Sequence, residues 1–137
     1  MDQVILAQKL ESLRRCIQRV EEKTPSDVSQ LIQDPDVQDI LVLNLTRAVQ
    51  LCVDIGSHVI SESDEVAPAT MGDVFSTLEK LGAITPGTCQ SMRKSVGFRN
   101  VAVHNYDVIN WEIVFAICQT FLTDFRRFSR EITGYFK

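Results

Sequence analysis

Apolar residues recur every three or four positions along most of this sequence, which is the spacing that places them on one face of an α-helix. The first such stretch predicts a helix over residues 2–23, ended at Thr24-Pro25 because the residue before a proline avoids the α region. Ser26 is predicted to cap a short turn that follows. A long helix is predicted over residues 36–61, with Asp34-Pro35 as its N-cap and first position.

The second half of the chain predicts further helices. Thr70 can cap a short helix that Gly82 ends, and Thr85-Pro86 can begin a longer helix that ends near His104. Asp107 is predicted to cap the last helix, whose wide apolar stripe indicates contact with more than one neighbour. The side chains expected to face inward on the last two helices include Cys89, Met92, Val96, Val103, Ile113, Ile117, Phe121, Phe125, Phe128 and Ile132.

No segment alternates apolar and polar residues in the manner of a β-strand. The pattern therefore predicts an all-α, up-and-down bundle of four main helices plus short ones, in a single domain over residues 1–137. Gly97 lies inside a predicted helix, where it costs about 1 kcal/mol relative to alanine. One explanation is that another backbone approaches closely there.

The composition limits where in the cell the protein is expected and which cofactors it is expected to bind. A chain that is 45% hydrophobic is typical of a folded soluble protein, and it contains no run of eighteen apolar residues, so no membrane span is expected. Met1-Asp2-Gln3 lacks the basic start of a signal peptide, and a cytoplasmic protein is expected. The four cysteines are far apart in sequence and are expected to be buried. Neither His58 nor His104 has a companion ligand at helical spacing, so no metal or other cofactor is expected.

The net charge of −4 argues weakly against RNA binding, although a local basic surface could suffice. The candidate basic residues are Arg93, Lys94 and Arg99, and Arg126, Arg127 and Arg130 on the last helix. For the last three, an ordinary solvated helix face explains the charges equally well. Asp54 lies beside core positions, and it is interpreted as a solvated edge residue rather than as a partner for a basic site residue.

The densest group of chemically useful side chains lies between Arg99 and Tyr106. Arginine binds phosphate through a planar fork of donors, and histidine gives or takes a proton near neutral pH. From spacing alone, a solvated Arg99 and a helix-capping His104 are at least as good an explanation.

Arg99-x4-His104-x-Tyr106 resembles the R-x4-H-x-Y motif of HepT toxins, a branch of the HEPN ribonucleases. Two further features resemble that branch: Asn100 directly after Arg99, and the stretch from Arg47 to Gly56. The resemblance covers nearly the whole chain. It implies a HEPN-like helical fold and the toxin of a type VII-like toxin–antitoxin pair. The implied activity is metal-independent endoribonuclease cleavage of RNA, with tRNA as one candidate substrate.

The spacing limits how such a site can work. On a regular helix Arg99 and His104 point about 140° apart, whereas Asn100 and His104 share a face. Arg99 therefore reaches the site by its length, or the helix loosens near its end. Attack of the RNA 2′-hydroxyl needs a base, an acid and positive charge at the phosphate, and one histidine cannot easily serve both sides of the phosphorus.

A homodimer with the motif at its axis would supply two histidines and two arginines, which is also what the resemblance implies. The predicted roles are base or acid for His104, phosphate clamp for Arg99 and hydrogen-bonding orienter for Asn100.

The resemblance also implies a partner, a minimal nucleotidyltransferase antitoxin of the MntA kind that transfers AMP to the motif tyrosine. In this chain that tyrosine is Tyr106, and an adenylate there would repel RNA phosphate. By spacing alone, Tyr106 is better explained as a packing aromatic with a hydrogen-bonded hydroxyl. Two rival hypotheses remain open: a non-catalytic HEPN interaction module that binds a nucleotidyltransferase or a nucleotide, and a helical scaffold without a ligand.

Overall fold

The computed structural model describes residues 3–136, apart from the side chain of Phe121, and every regular element in that range is a helix. Phe121, which was expected to face inward, therefore lies outside the described side chains. The α-helices are α1 Gln3–Lys23, α2 Val28–Gln33, α3 Pro35–Ser61, α4 Met71–Lys80, α5 Pro86–His104, α6 Trp111–Ala116 and α7 Leu122–Tyr135. A 3₁₀ turn, Tyr106–Val108, follows α5, and a π-helical turn, Ile117–Phe121, joins α6 to α7.

Helix starts follow cap chemistry that was readable in the sequence. Asp34 accepts from the backbone N–H groups of Asp36 at 3.1 Å and Val37 at 3.2 Å, with Pro35 in the first turn. Thr70 and Thr85 cap α4 and α5 in the same way. These caps confirm the predicted starts of the three helices.

Two predicted caps are wrong. Asp27 rather than Ser26 caps α2, because its carboxylate accepts from the Gln30 N–H at 2.9 Å. Asn110 rather than Asp107 caps the last helix, and its side-chain oxygen accepts from the Glu112 N–H at 2.9 Å. The 3₁₀ turn that begins at Tyr106 occupies the residues before it and delays the start of α6.

The bundle is built around α3, which packs against α1, α4, α5 and α7. Its residues Leu41, Cys52 and Ile55 are inaccessible to solvent, and the rings of Phe75 and Phe128 meet edge to face with centroids 5.8 Å apart. The all-α fold of four main helices and shorter ones is confirmed, the last main helix being the rod formed by α6, the π turn and α7.

Among the described residues, α3 is the one helix long and apolar enough to cross a membrane by length and composition. Of its most apolar window 56% is buried inside the bundle, as expected for a core helix. The four cysteines are free and buried, which confirms their predicted environment. Burial raises the pKa of the Cys118 thiol to about 11.

A π turn interrupts the predicted last helix. The Thr120 hydroxyl donates to the Ala116 carbonyl at 2.8 Å, which competes with the backbone for that acceptor. π-helical turns are rare in proteins overall, but those that occur are often found at functional sites.

Three expectations about α5 and the segment after it are corrected. Val103 is 52% exposed, because Ala102 rather than Val103 faces the bundle at the end of α5. Ile113 is 56% exposed. A Cβ atom added to Gly97 would meet nothing within 4 Å, so within residues 3–136 no backbone from another element lies against that glycine.

Candidate functional site

The last turns of α5 carry Arg99, Asn100 and His104. Arg99 is partly buried, Asn100 is exposed, and His104 is exposed as the last residue of the helix. The Asn105 N–H donates to the Val101 carbonyl at 2.9 Å, so the α-helical hydrogen-bond pattern continues through the motif. The helix does not loosen, and the length of the Arg99 side chain is the remaining way for it to reach the same site as His104.

No carboxylate within the described residues binds Arg99. Its Nη1 donates to the Asn100 side-chain oxygen at 3.3 Å, and none of the ion pairs found within residues 3–136 includes Arg99 or His104. The orienting role of Asn100 stays a prediction. A guanidinium left without an acidic partner keeps its charge available for a phosphate.

Tyr106 begins the 3₁₀ turn, two residues beyond His104. Its hydroxyl donates to Asp39 Oδ1 on α3 at 2.5 Å, and its ring meets Trp111 edge on with centroids 6.0 Å apart. Burial and then the Asp39 carboxylate raise the pKa of Tyr106 to about 12. The side chain is 39% exposed, so it packs on one side and is accessible on the other.

Asp39 is a site residue that the sequence did not reveal. It lies 67 residues from Tyr106 along the chain, in a turn of α3 with no motif of its own. Only the packing of the 3₁₀ turn near α3 brings the two groups together.

An apolar groove of about 530 Å³ lies beside the motif, between α5 and the segment that leads into the π turn. Exposed Val101, Val108 and Ile113 line it together with the buried Phe125. Lys94 lies at the same groove and supplies a positive charge. A folded monomer seldom leaves so many apolar side chains exposed in one place, so this surface is suited to contact another molecule.

Most of the other basic residues considered for RNA binding are engaged within the chain. Arg93 donates to the Gly72 carbonyl at 2.9 Å and to Ser76 at 2.7 Å. Arg126 pairs with Glu21, and Arg127 donates to Asp124 at 3.2 Å. Lys94, Arg99 and Arg130 remain as candidates, with Arg130 in a separate groove between α1 and α7.

Asp54 holds no residue of the motif in place. It accepts from Gln50 at 3.0 Å and lies 3.9 Å from Lys9. These contacts favour the edge-residue interpretation. Across the described part of the chain, no group of three or more histidine, cysteine, aspartate or glutamate side chains is arranged to hold a metal ion.

Comparison with known proteins shows the family of this chain. Residues 13–132 match the family described as Ribonuclease HepT-like. The chain belongs to the HepT-like ribonuclease family. The resemblance drawn from the Arg99–Tyr106 motif is thereby confirmed.

Two proteins named as HepT nucleases are similar to this chain over almost their full length. The mRNA nuclease HepT of Shewanella oneidensis is 36% identical over 124 residues, which cover 90% of this chain and 92% of that protein. The tRNA nuclease HepT of Aphanizomenon flos-aquae is 25% identical over 135 residues, covering 98% and 92% respectively.

Solved structures agree with the fold. The tri-AMPylated Shewanella oneidensis HEPN toxin in complex with MNT antitoxin is 34% identical, with a TM-score of 0.90 over 98% of this chain and 99% of that one. A toxin–antitoxin structure with AMP-PNP is also 34% identical, with a TM-score of 0.88 over 96% and 99%. Bacillus subtilis YutE, at 15% identity and a TM-score of 0.84 over 98% and 90%, shares the fold alone.

Proposed function

We propose that this chain is the toxin of a toxin–antitoxin pair of type VII kind, and that it is a metal-independent endoribonuclease. Its substrate is RNA, with tRNA and mRNA as the candidate classes, and it acts in the cytoplasm. The observation that carries the proposal is an arginine near the end of α5 that no carboxylate of the described residues binds, with His104 one to two turns further on. The two similar nucleases are named for cleavage of mRNA and of tRNA.

The proposed chemistry assigns one task to each group. His104 removes the proton of the RNA 2′-hydroxyl, or protonates the leaving 5′-oxygen. Arg99 binds the phosphate and stabilises the charge that grows on its oxygens, and Asn100 orients Arg99. The 2′-oxygen becomes bonded to phosphorus as the 5′-oxygen departs, which leaves a 2′,3′-cyclic phosphate.

The active species is a homodimer that covers the apolar groove. One His104 cannot sit on both sides of the phosphorus, and a two-fold axis near the motif brings a second copy of the histidine. Val101, Val108 and Ile113 are exposed apolar side chains on this face, so association would remove them from water. The dimer thus explains both the chemistry and the exposed surface.

The partner that silences the chain is a minimal nucleotidyltransferase, and its acceptor is Tyr106. The similar Shewanella oneidensis toxin is tri-AMPylated and bound to an MNT antitoxin. Tyr106 is partly exposed just beyond His104, so an adenylate attached to its hydroxyl would place negative charge beside the phosphate-binding groups.

The test is cleavage of labelled RNA by purified wild type, Arg99→Ala and His104→Ala, in buffer with EDTA. We expect each substitution to lower the rate by about 10²-fold to 10⁴-fold, the usual contribution of a positioned acid, base or charge. Matched controls are His58→Ala and Arg19→Ala, an exposed histidine on α3 and an exposed arginine on α1. We expect both controls to cleave at the wild-type rate.

Unchanged cleavage by Arg99→Ala and His104→Ala would remove the proposed site. If wild type leaves every RNA intact but binds a nucleotidyltransferase, the non-catalytic interaction module is the better description. Cleavage that stops in EDTA and returns with Mg²⁺ would contradict the metal-independent mechanism, and cyclic-phosphate ends would support it.

A further inference from the structure

The hydroxyl of Tyr106 is already aligned on a proton acceptor in this chain. It donates to Asp39 Oδ1 at 2.5 Å, which is short for a neutral donor and typical of a hydroxyl bonded to a carboxylate. The contact joins the 3₁₀ turn to α3, and the ring of Trp111 packs edge on against the tyrosine. The phenol is therefore held in one orientation while part of it stays exposed.

We propose that Asp39 activates Tyr106 as the acceptor of AMP by taking its phenolic proton, so that this chain supplies a catalytic group for its own silencing. The inference rests on the proposed adenylylation of Tyr106. The co-reactant is a nucleoside triphosphate held by the nucleotidyltransferase. As the Tyr106 oxygen bonds to the α-phosphorus, the bond from that phosphorus to the bridging oxygen of the β-phosphate breaks. Pyrophosphate leaves, and the proton passes to the Asp39 carboxylate.

The phenol needs such an acceptor because it is protonated at neutral pH. Burial and Asp39 raise the pKa of Tyr106 to about 12, so almost no phenolate forms spontaneously. A base acts when it lies within hydrogen-bond reach of the proton it removes, and Asp39 already meets that condition. An aspartate has the same task towards substrate hydroxyls in protein kinases.

Asp39 can assist only the first transfer of AMP, the one to the Tyr106 hydroxyl. Once the Tyr106 oxygen is esterified it has no proton left to donate, and the Asp39 carboxylate then faces a phosphodiester of the same charge. The hydrogen bond to α3 is lost, and the modified side chain is repelled from Asp39. Any further AMP must attach to another hydroxyl, so Asp39 accelerates the first addition and not later ones.

The experiment mixes purified chain with its purified nucleotidyltransferase and ATP and follows AMP addition by intact-mass spectrometry. The variants are Asp39→Asn, Asp39→Ala and Tyr106→Phe. Asp107→Asn is the control, since it removes the same charge from the residue next to Tyr106. We expect the first addition to slow about 10²-fold in both Asp39 variants. We expect wild-type rates in the control and no addition in Tyr106→Phe.

A role in proton removal differs from a structural role in its pH dependence. Without Asp39 the reaction depends on phenolate, so the ratio of wild-type to Asp39→Asn rates should fall as pH rises. Ultraviolet titration should find a lower pKa for Tyr106 in Asp39→Asn than in wild type, where it is about 12. In chains that do become modified, the number of AMP units should match wild type.

The outcomes separate the two proposals. If wild type gains no AMP on Tyr106, the proposed acceptor and the role of Asp39 both fail. If wild type is modified on Tyr106 and Asp39→Asn is modified at the same or a higher rate, the acceptor stands and the role of Asp39 is refuted. A rate ratio that stays constant with pH would equally refute proton removal.

Discussion

Gly97 and Gly56 lie inside long helices and differ in their surroundings, so the same substitution should have opposite effects. Gly97 is exposed on α5, and an added Cβ would meet nothing within 4 Å. Alanine favours a helix interior over glycine by about 1 kcal/mol. We therefore expect Gly97→Ala to raise the free energy of unfolding of the isolated chain by about 0.5–1 kcal/mol.

Gly56 on α3 is buried against α4. Its Cβ would lie 2.6 Å from Val74 Cγ1 and 2.8 Å from Leu78 Cδ1, closer than carbon atoms tolerate. Leu78 can give way by rotating, but a valine in a helix is nearly locked at χ1. Overpacking costs about 1–3 kcal/mol, which exceeds the helix-propensity gain of about 1 kcal/mol. We expect Gly56→Ala to be less stable than wild type by about 1 kcal/mol.

The assay is urea unfolding followed by far-ultraviolet circular dichroism, at protein concentrations low enough for the chain to be monomeric. The two variants should differ by about 2 kcal/mol at an unchanged denaturant slope. If Gly97→Ala destabilises the monomer, or Gly56→Ala unfolds at the wild-type midpoint, the packing described around these glycines is wrong. At higher protein concentration, Gly97→Ala also tests whether the groove beside α5 is the dimer interface. If a second copy packs closely against Gly97, the added methyl group should weaken dimerisation.

Two further predictions concern stability and association. Glu131 accepts from the Thr85 N–H and the Thr88 hydroxyl at 2.6 Å each. Glu131→Gln should therefore lower the free energy of unfolding, measured by urea titration, by about 1–2 kcal/mol. An unchanged free energy of unfolding would mean that water fully replaces these hydrogen bonds. Ile113→Asp should abolish the dimer in sedimentation and RNA cleavage with it, because an unpaired charge would enter the proposed interface. The matched control, Val66→Asp in an exposed loop, should do neither, and a dimer that persists in Ile113→Asp would exclude this face.

The sequence by itself determined the helices and the residues of the motif. Helix formation depends on local apolar spacing and on a side chain that accepts the first free N–H groups, both of which are readable within one or two turns. Asp34, Thr70 and Thr85 therefore cap where their positions predicted. The family was also readable, because Arg99 and the residues after it form a pattern that remains contiguous in sequence.

The tertiary structure alone decided which groups surround that motif. The partner of Tyr106 is Asp39, 67 residues away, and no local rule links the two. Ile113, which periodicity assigned to the inward face, lines the groove beside α5 and is 56% exposed in the packed bundle. A period of 3.6 residues assigns side chains to the faces of a helix, whereas burial and reactivity depend on the distances between helices, which are set only when the helices pack.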